Sequence, residues 1–217
     1  MELKLLNGFR TGARPPIRPV APSAGLAEVR AYWEGLRCGG DIPARADLDP
    51  RGMSGTLDRV FIAERIGAGL VRIRIAGSTL HDIAGLDLRG LPLSCLFQPD
   101  ARPRLSTLIE RVFSNPIAAE LHIAAEQGVG RPNLAGRMML LPLLDTDGSR
   151  TLTLGCISFT GGVGRAPRRF GILRAVEENL ITAPDHSLPH APRDRREPPV
   201  AAAPVRPPHL RLAYSAN

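Results

Sequence analysis

The side chains able to do acid–base, nucleophilic or metal chemistry are few in this 217-residue chain, and their spacing keeps them apart. Of five histidines, His186, His190 and His209 stand among prolines near the C-terminus, which leaves His81 and His122 in the regularly patterned part of the chain. Cys38, Cys95 and Cys156 form no CxxC pair and leave an odd thiol under any disulfide scheme, so neither a metal site nor a disulfide framework is expected. A reducing cytoplasm suits such thiols. Asp47 and Asp49 flank Leu48, but a general acid–base pair needs a cleft and opposed environments that raise one pKa. These two share a loop with Arg45 and Arg51, and Asp49-Pro50 is an N-cap and first-turn signal, so capping and local ion pairs are the expected roles. The sequence contains no GxxxxGK(S/T) loop, no GxGxxG after a strand, no HExxH and no GxSxG. Gly161-Gly162-x-Gly164 follows a strand-like run but leads into Arg165-Ala166-Pro167, without the helix start that phosphate binding uses, and reads as an exit from the strand. No catalytic residue is assigned, and the chain is not expected to be an enzyme.

The elements that would position any site are concentrated in the middle of the chain. Residues 1–25 carry Lys4, Arg10, Arg14 and Arg18 against Glu2, and residues 165–217 carry nine Arg against five acids. Residues 26–164 hold 15 basic and 15 acidic groups, so the whole formal charge of +7 lies in the flanks. The flanks also hold 13 of the 21 prolines, which predicts disordered or polyproline-like arms around one neutral domain. No apolar run is long enough to span a membrane. The N-terminus lacks a secretory h-region with a cleavage site. A nucleic-acid-associated protein using its basic arms is the alternative to a regulatory domain, although acids interrupt the arginines and only Phe170 and Tyr214 interleave as aromatics.

Within the neutral segment, Val29, Tyr32, Trp33 and Leu36 make an amphipathic helical stripe over 28–37 that ends at Gly39-Gly40. Asp49-Pro50 starts a short helix toward Arg59. Val60–Ile66 and Leu70–Ala76 read as strands joined by a turn at Gly67-Ala68-Gly69, and Thr79–Ala84 as a short helix. Helical spacing returns over 100–114 and stops at Asn115-Pro116. Ile117–Ala125, Leu134–Leu144 and Thr151–Thr160 are strands, the last two linked by Asp145-Thr146-Asp147-Gly148-Ser149. The order implies an α+β fold, a five-stranded antiparallel sheet with helices on one face, preceded by the amphipathic helix. In the tail, Ile172, Leu173, Val176, Leu180 and Ile181 predict a helix over 170–182 that either projects as a signalling helix or folds back on the domain.

Two residue clusters carry a resemblance. The first is Tyr32-Trp33-Glu34-x-Leu36-Arg37-x-Gly39, followed by Ile42-Pro43-Ala44-Arg45-x-Asp47-x-Asp49-Pro50. The second is Arg74-x-x-Gly77-Ser78-x-Leu80, then Gly85-x-Asp87-Leu88-x-Gly90. With the order of elements, they resemble a bacterial PAS-like family of stand-alone proteins over about residues 26–160. The resemblance implies a cytoplasmic sensory or regulatory role without a catalytic output domain, exercised by holding a small apolar ligand, by contacting a protein partner in a signalling pathway, or both. The inward strand positions Val71, Ile73, Ile75, Leu121, Ile123, Met139 and Leu141, with Cys156 and His81, are then the pocket candidates. Val29, Trp33 and Leu36, or the exposed sheet face, would serve a homodimer. His81 as a haem ligand is disfavoured against a partly exposed helix residue, and His122 is expected to face outward. Cys95 does not lie in the Asn-Cys-Arg-Phe-Leu-Gln sequence of flavin-photoadduct domains, so no cofactor is assigned.

Overall fold

Turn chemistry and strand periodicity divide residues 24–180, the part described by the structure, a computed structural model. Helix α1 (Ala24–Leu36) is followed by three short 3-10 turns and then by β1 (Val60–Gly67) and β2 (Leu70–Ala76). After these come α2 (Ser78–Ala84), two more 3-10 turns, α3 (Arg102–Ser114), β3 (Ile117–Ala125), β4 (Leu134–Leu143), β5 (Leu152–Gly161) and β6 (Phe170–Asn179). The predicted 49–59 helix is realised as 3-10 turns at Pro50–Met53 and Leu57–Arg59. Gly69, at φ +62°, closes the β1–β2 turn in a conformation that other residues adopt at a cost. The β4–β5 turn closes through Gly148 N donating to Asp145 O at 3.0 Å. The basic arms predicted at 1–25 and in the tail beyond 180, with the tail histidines, lie outside the described residues, except for Ala24 and Gly25 in α1.

All strands pair antiparallel in the order β2-β1-β5-β4-β3-β6. The five expected strands are present; the sixth corrects the sequence prediction. Residues 170–179 are a strand on β3, where a helix was expected. The cause of the misleading pattern is a bulge: Ile123 pairs with Ile172 and His122 with Arg174, so Leu173 is an extra residue. Phe170, Ile172, Ala175 and Glu177 consequently share one face, and a spacing of three replaces the strand's spacing of two. The domain therefore runs through Leu180, and four arginines and two glutamates of the supposed tail (Arg165, Arg168, Arg169, Arg174, Glu177, Glu178) belong to it.

Apolar side chains cover both faces of the sheet. On one, Phe61, Ala63, Val71, Ile73, Leu121, Ile123, Met138, Leu140 and Ile157 pack under Leu80 and Ile83 of α2 and under Leu105, Leu108, Ile109 and Val112 of α3. On the other, Leu26, Val29 and Trp33 of α1 lie on Val60, Ile62, Met139, Leu141, Leu154 and Cys156. The N-terminal helix thus closes a second core layer, while α2 and α3 form the expected one-sided cover. Burying each large apolar side chain is worth about 1.5–3 kcal/mol.

Candidate functional site

The pocket candidates do not converge on one cavity, because the sheet separates them. Val71, Ile73, Leu121 and Ile123 face the α2–α3 cover and are almost wholly buried. Met139, Leu141 and Cys156 face α1 on the opposite side. β4 is apolar at successive positions, so its sequence does not reveal which residues point where. Ile75 departs from both groups. A bulge between Ile62 and Ala63 pairs Ile75 with Ile62 and turns it to the α1 side of the sheet, beyond the reach of α1, where it is 50% exposed.

The space between sheet and cover is filled by rings lying over glycines. Phe61 faces Gly155 across the β1–β5 pair, and a Cβ on Gly155 would come within 2.0 Å of the Phe61 ring. Phe159 relates in the same way to Gly136 of β4, with a ring carbon 2.5 Å from where a Cβ would stand. The Phe159 and Phe170 rings stack with centroids 5.2 Å apart. Two surface clefts, of about 270 and 230 Å³, open at the margins of this packing, the second reaching Val71, Leu105 and Ile109 of the core. Gln98, Asp100, Arg104 and Ile172 border the first; Gly69, Val71, Ser94 and Arg102 border the second.

The polar candidates are engaged in holding backbone. His81 Nδ1 accepts from Leu88 N at 3.2 Å, so its Nε2–H is the one that donates to Ala76 O, also at 3.2 Å. The ring thereby ties the end of β2 to the loop after α2. Asp47 Oδ2 accepts from Ala44 N at 3.1 Å, and Asp49 Oδ1 from Arg51 N at 2.9 Å, the capping geometry expected of them. Gly161 to Gly164 lead into β6 and pack on the β3–β4 loop, with Arg165 N donating to Gly130 O at 2.7 Å. Arg168, just beyond, is fully buried and donates to the carbonyls of Val163, Glu126 (2.9 Å) and Pro132 (2.7 Å). Its desolvation lowers its pKa from the ordinary arginine value. Burial also pushes up the thiols of Cys95 and Cys156, the latter to about 12, which is the state of unreactive thiols.

No curated protein matches the chain. Among solved structures it is similar to "The light state structure of the blue-light photoreceptor Aureochrome1 LOV", at 12% identity and a TM-score of 0.36 over 53% of this chain and 90% of that one. The PAS domain family matches residues 22–158. The chain belongs to the PAS domain family. PAS domains serve sensory and regulatory signalling through ligands and protein contacts, and that role extends to this chain in outline. No helix among the described residues is long and apolar enough to cross a membrane.

In this PAS domain the two residue clusters that carried the resemblance are fastening devices. Trp33 is fully buried; its Nε1–H donates to Pro142 O of β4 at 3.1 Å, and the guanidiniums of Arg30 and Arg37 flank its ring at 5.6 and 5.2 Å. Glu34 holds both arginines, at 2.5 and 3.0 Å. Tyr32 lies against Gly52, where a Cβ would come within 2.1 Å of its ring, and its hydroxyl accepts from Asp49 N at 2.7 Å. Val29 and Trp33, offered as dimer contacts, are therefore spent on the chain's own sheet, and Leu36 packs beside them half-buried. In the second cluster Gly77 passes within 2.3 Å of Asp58 backbone at its would-be Cβ, and Gly85 and Gly90 take positive φ around the buried Leu88.

What the sequence did not reveal is the surface left over. On the α1 side of the sheet, past the end of α1, register places Arg174, His122 and Arg137 in one row across β6, β3 and β4. Glu120 stands beside them, its Oε1 3.2 Å from His122 Nε2 and 2.5 Å from Arg137 Nε. His122 thus faces away from the cover, as its strand position implied. The polar members of the row were legible in β3; their neighbour in β6 was hidden by the bulge.

Proposed function

We propose that this PAS domain is a cytoplasmic regulatory module that works by binding another protein, not by enclosing a small ligand. The observation that carries the proposal is the filling of the sheet-to-cover space by Phe61 over Gly155 and by the stacked Phe159 and Phe170. A ligand of even modest size would have to displace these rings, and a densely packed interior resists that. Arg174, with His122 partly exposed beside it, and the side of β6 that no described residue hydrogen-bonds lie, by contrast, at the surface. Three cysteines with no pairing pattern support a reducing compartment.

Native mass spectrometry of the purified full chain, with an absorption spectrum, tests this. The expected outcome is a mass accounted for by polypeptide alone, whether one copy or two, and no chromophore band. A stoichiometric small molecule that co-purifies and is released on unfolding would overturn it.

A further inference from the structure

β6 ends the sheet, and its outer side changes character along its length. Near its start the outer carbonyls are taken: Phe170 O accepts from Gln98 N at 2.9 Å and Ile172 O from Arg104 Nη1 at 3.3 Å. Leu180 N donates inward to Pro116 O at 2.8 Å, and alternation then directs the N–H and C=O of Ala175, Glu177 and Asn179 outward. Among the described residues nothing hydrogen-bonds these groups. Beside them stand Arg174, exposed and without an ion pair among the described residues, Val176, 40% exposed, and Glu178.

We propose that a second copy of this chain pairs with this edge, β6 to β6, about a two-fold axis at Val176. The proposal rests on the protein-binding function above and names the partner. Antiparallel self-pairing must match outward residues with outward residues, which over Ala175, Glu177 and Asn179 leaves frames centred on each residue from 175 to 179; the one at 178 sets Glu178 against its own copy, and the one at 179 engages only Asn179 of the three. A frame centred on Ala175 sets Arg174 against Val176. One centred on Glu177 sets that glutamate against its own copy. In the frame centred on Val176, Ala175 and Glu177 exchange hydrogen bonds with the copy. Arg174 then lies opposite the copy's Glu178, twice by symmetry, and the exposed Val176 meets itself. Both side-chain pairs fall at non-hydrogen-bonded positions, where the strands' side chains approach most closely.

Features that usually protect an edge do not obstruct this frame. The bulge at Leu173 lies at one end of it, and Glu177 is already neutralised by Arg111 of α3 at 2.8 Å. Glu178 pairs with Arg30 at 3.1 Å but stays 64% exposed, open to a second cation.

Sedimentation velocity of the full chain over a dilution series tests the proposal, with dimer expected at twice the 23.3 kDa monomer mass. Arg174→Glu or Glu178→Arg alone should raise the dissociation constant about tenfold or more, since each places like charges opposite one another twice. The double reversal should restore it to within about threefold. In a Cys38→Ser background, Val176→Cys should form an inter-copy disulfide on oxidation, because Cα atoms about 4.5 Å apart lie within bridging range. A monomer at every concentration, a dimer indifferent to both reversals, or no rescue by the double reversal overturns the β6 pairing, while leaving binding to a different protein standing. A co-purifying ligand overturns the function proposed above without touching the dimer. Thermal melts of each variant separate interface loss from misfolding.

Discussion

The ring of Phe61 occupies the space that a side chain on Gly155 would need. The two residues are direct partners in the β1–β5 register, and a Cβ on the glycine would come 2.0 Å from the ring's far carbon. A glycine in a central strand sacrifices packing and chain entropy. Here the loss is offset by a phenyl ring laid flat against the backbone. Gly155→Ala should destabilise the fold by about 1–3 kcal/mol through overpacking. Combining it with Phe61→Leu should recover part of the loss, because the smaller side chain vacates the clash. Urea denaturation of the two single variants and the double gives the coupling; additive effects would show that the ring and the glycine do not share the space.

Trp33 fastens α1 to the sheet and is fully buried there. Trp33→Ala should cost about 3–5 kcal/mol. Trp33→Phe, which keeps most of the ring but loses the hydrogen bond to Pro142 O, should cost less. If Trp33→Ala unfolded at the wild-type denaturant midpoint, α1 would not be an integral layer of the core.

The carboxylate of Glu64 is held below the usual range by its hydrogen bond to Arg74 and then by that to Arg72. A carboxylate with a lowered folded pKa lends stability at pH values above its unfolded pKa. That contribution is lost as the pH falls through the folded value. Glu64→Gln should therefore lower stability near neutrality and flatten the decline toward acid, with the two proteins converging at low pH. Parallel curves from denaturation at a series of pH values would sink this account.

Cys156 lies between α1 and the sheet with its thiol pushed up to about 12, whereas Cys38 is exposed. A thiol reagent at mildly alkaline pH should modify Cys38 within the mixing and counting time of the assay and leave Cys156 untouched until the protein unfolds. Mass spectrometry of the labelled peptides reads this directly. Labelling of Cys156 at the rate of Cys38 in the folded protein would mean that the α1 layer opens.

The strands were legible wherever a turn bounded them. Gly67-Ala68-Gly69 and Asp145–Ser149 mark the two hairpin connections, and β1 to β5 begin and end within a residue or so of the places their sequences imply. Two bulges defeated the pattern. In β2 the extra residue before Ile75 moved it out of the core, and in β6 the extra Leu173 gave the strand a helix-like spacing. A bulge depends on how two distant strands accommodate each other, so neither strand's own residues announce it.

Hydrophobic periodicity and turn chemistry act between near neighbours, and so the sequence by itself determined the element order as far as β5, the capping loops, the family and the two clusters that fasten it. The assignment of Val71 and Leu121 to one core layer and of Met139 and Cys156 to the other depends on which face of the sheet each reaches. That face, the filled space beneath the cover and the stretch of β6 that no described residue pairs emerge only when strands far apart in the chain come into register, and the tertiary structure alone decided them.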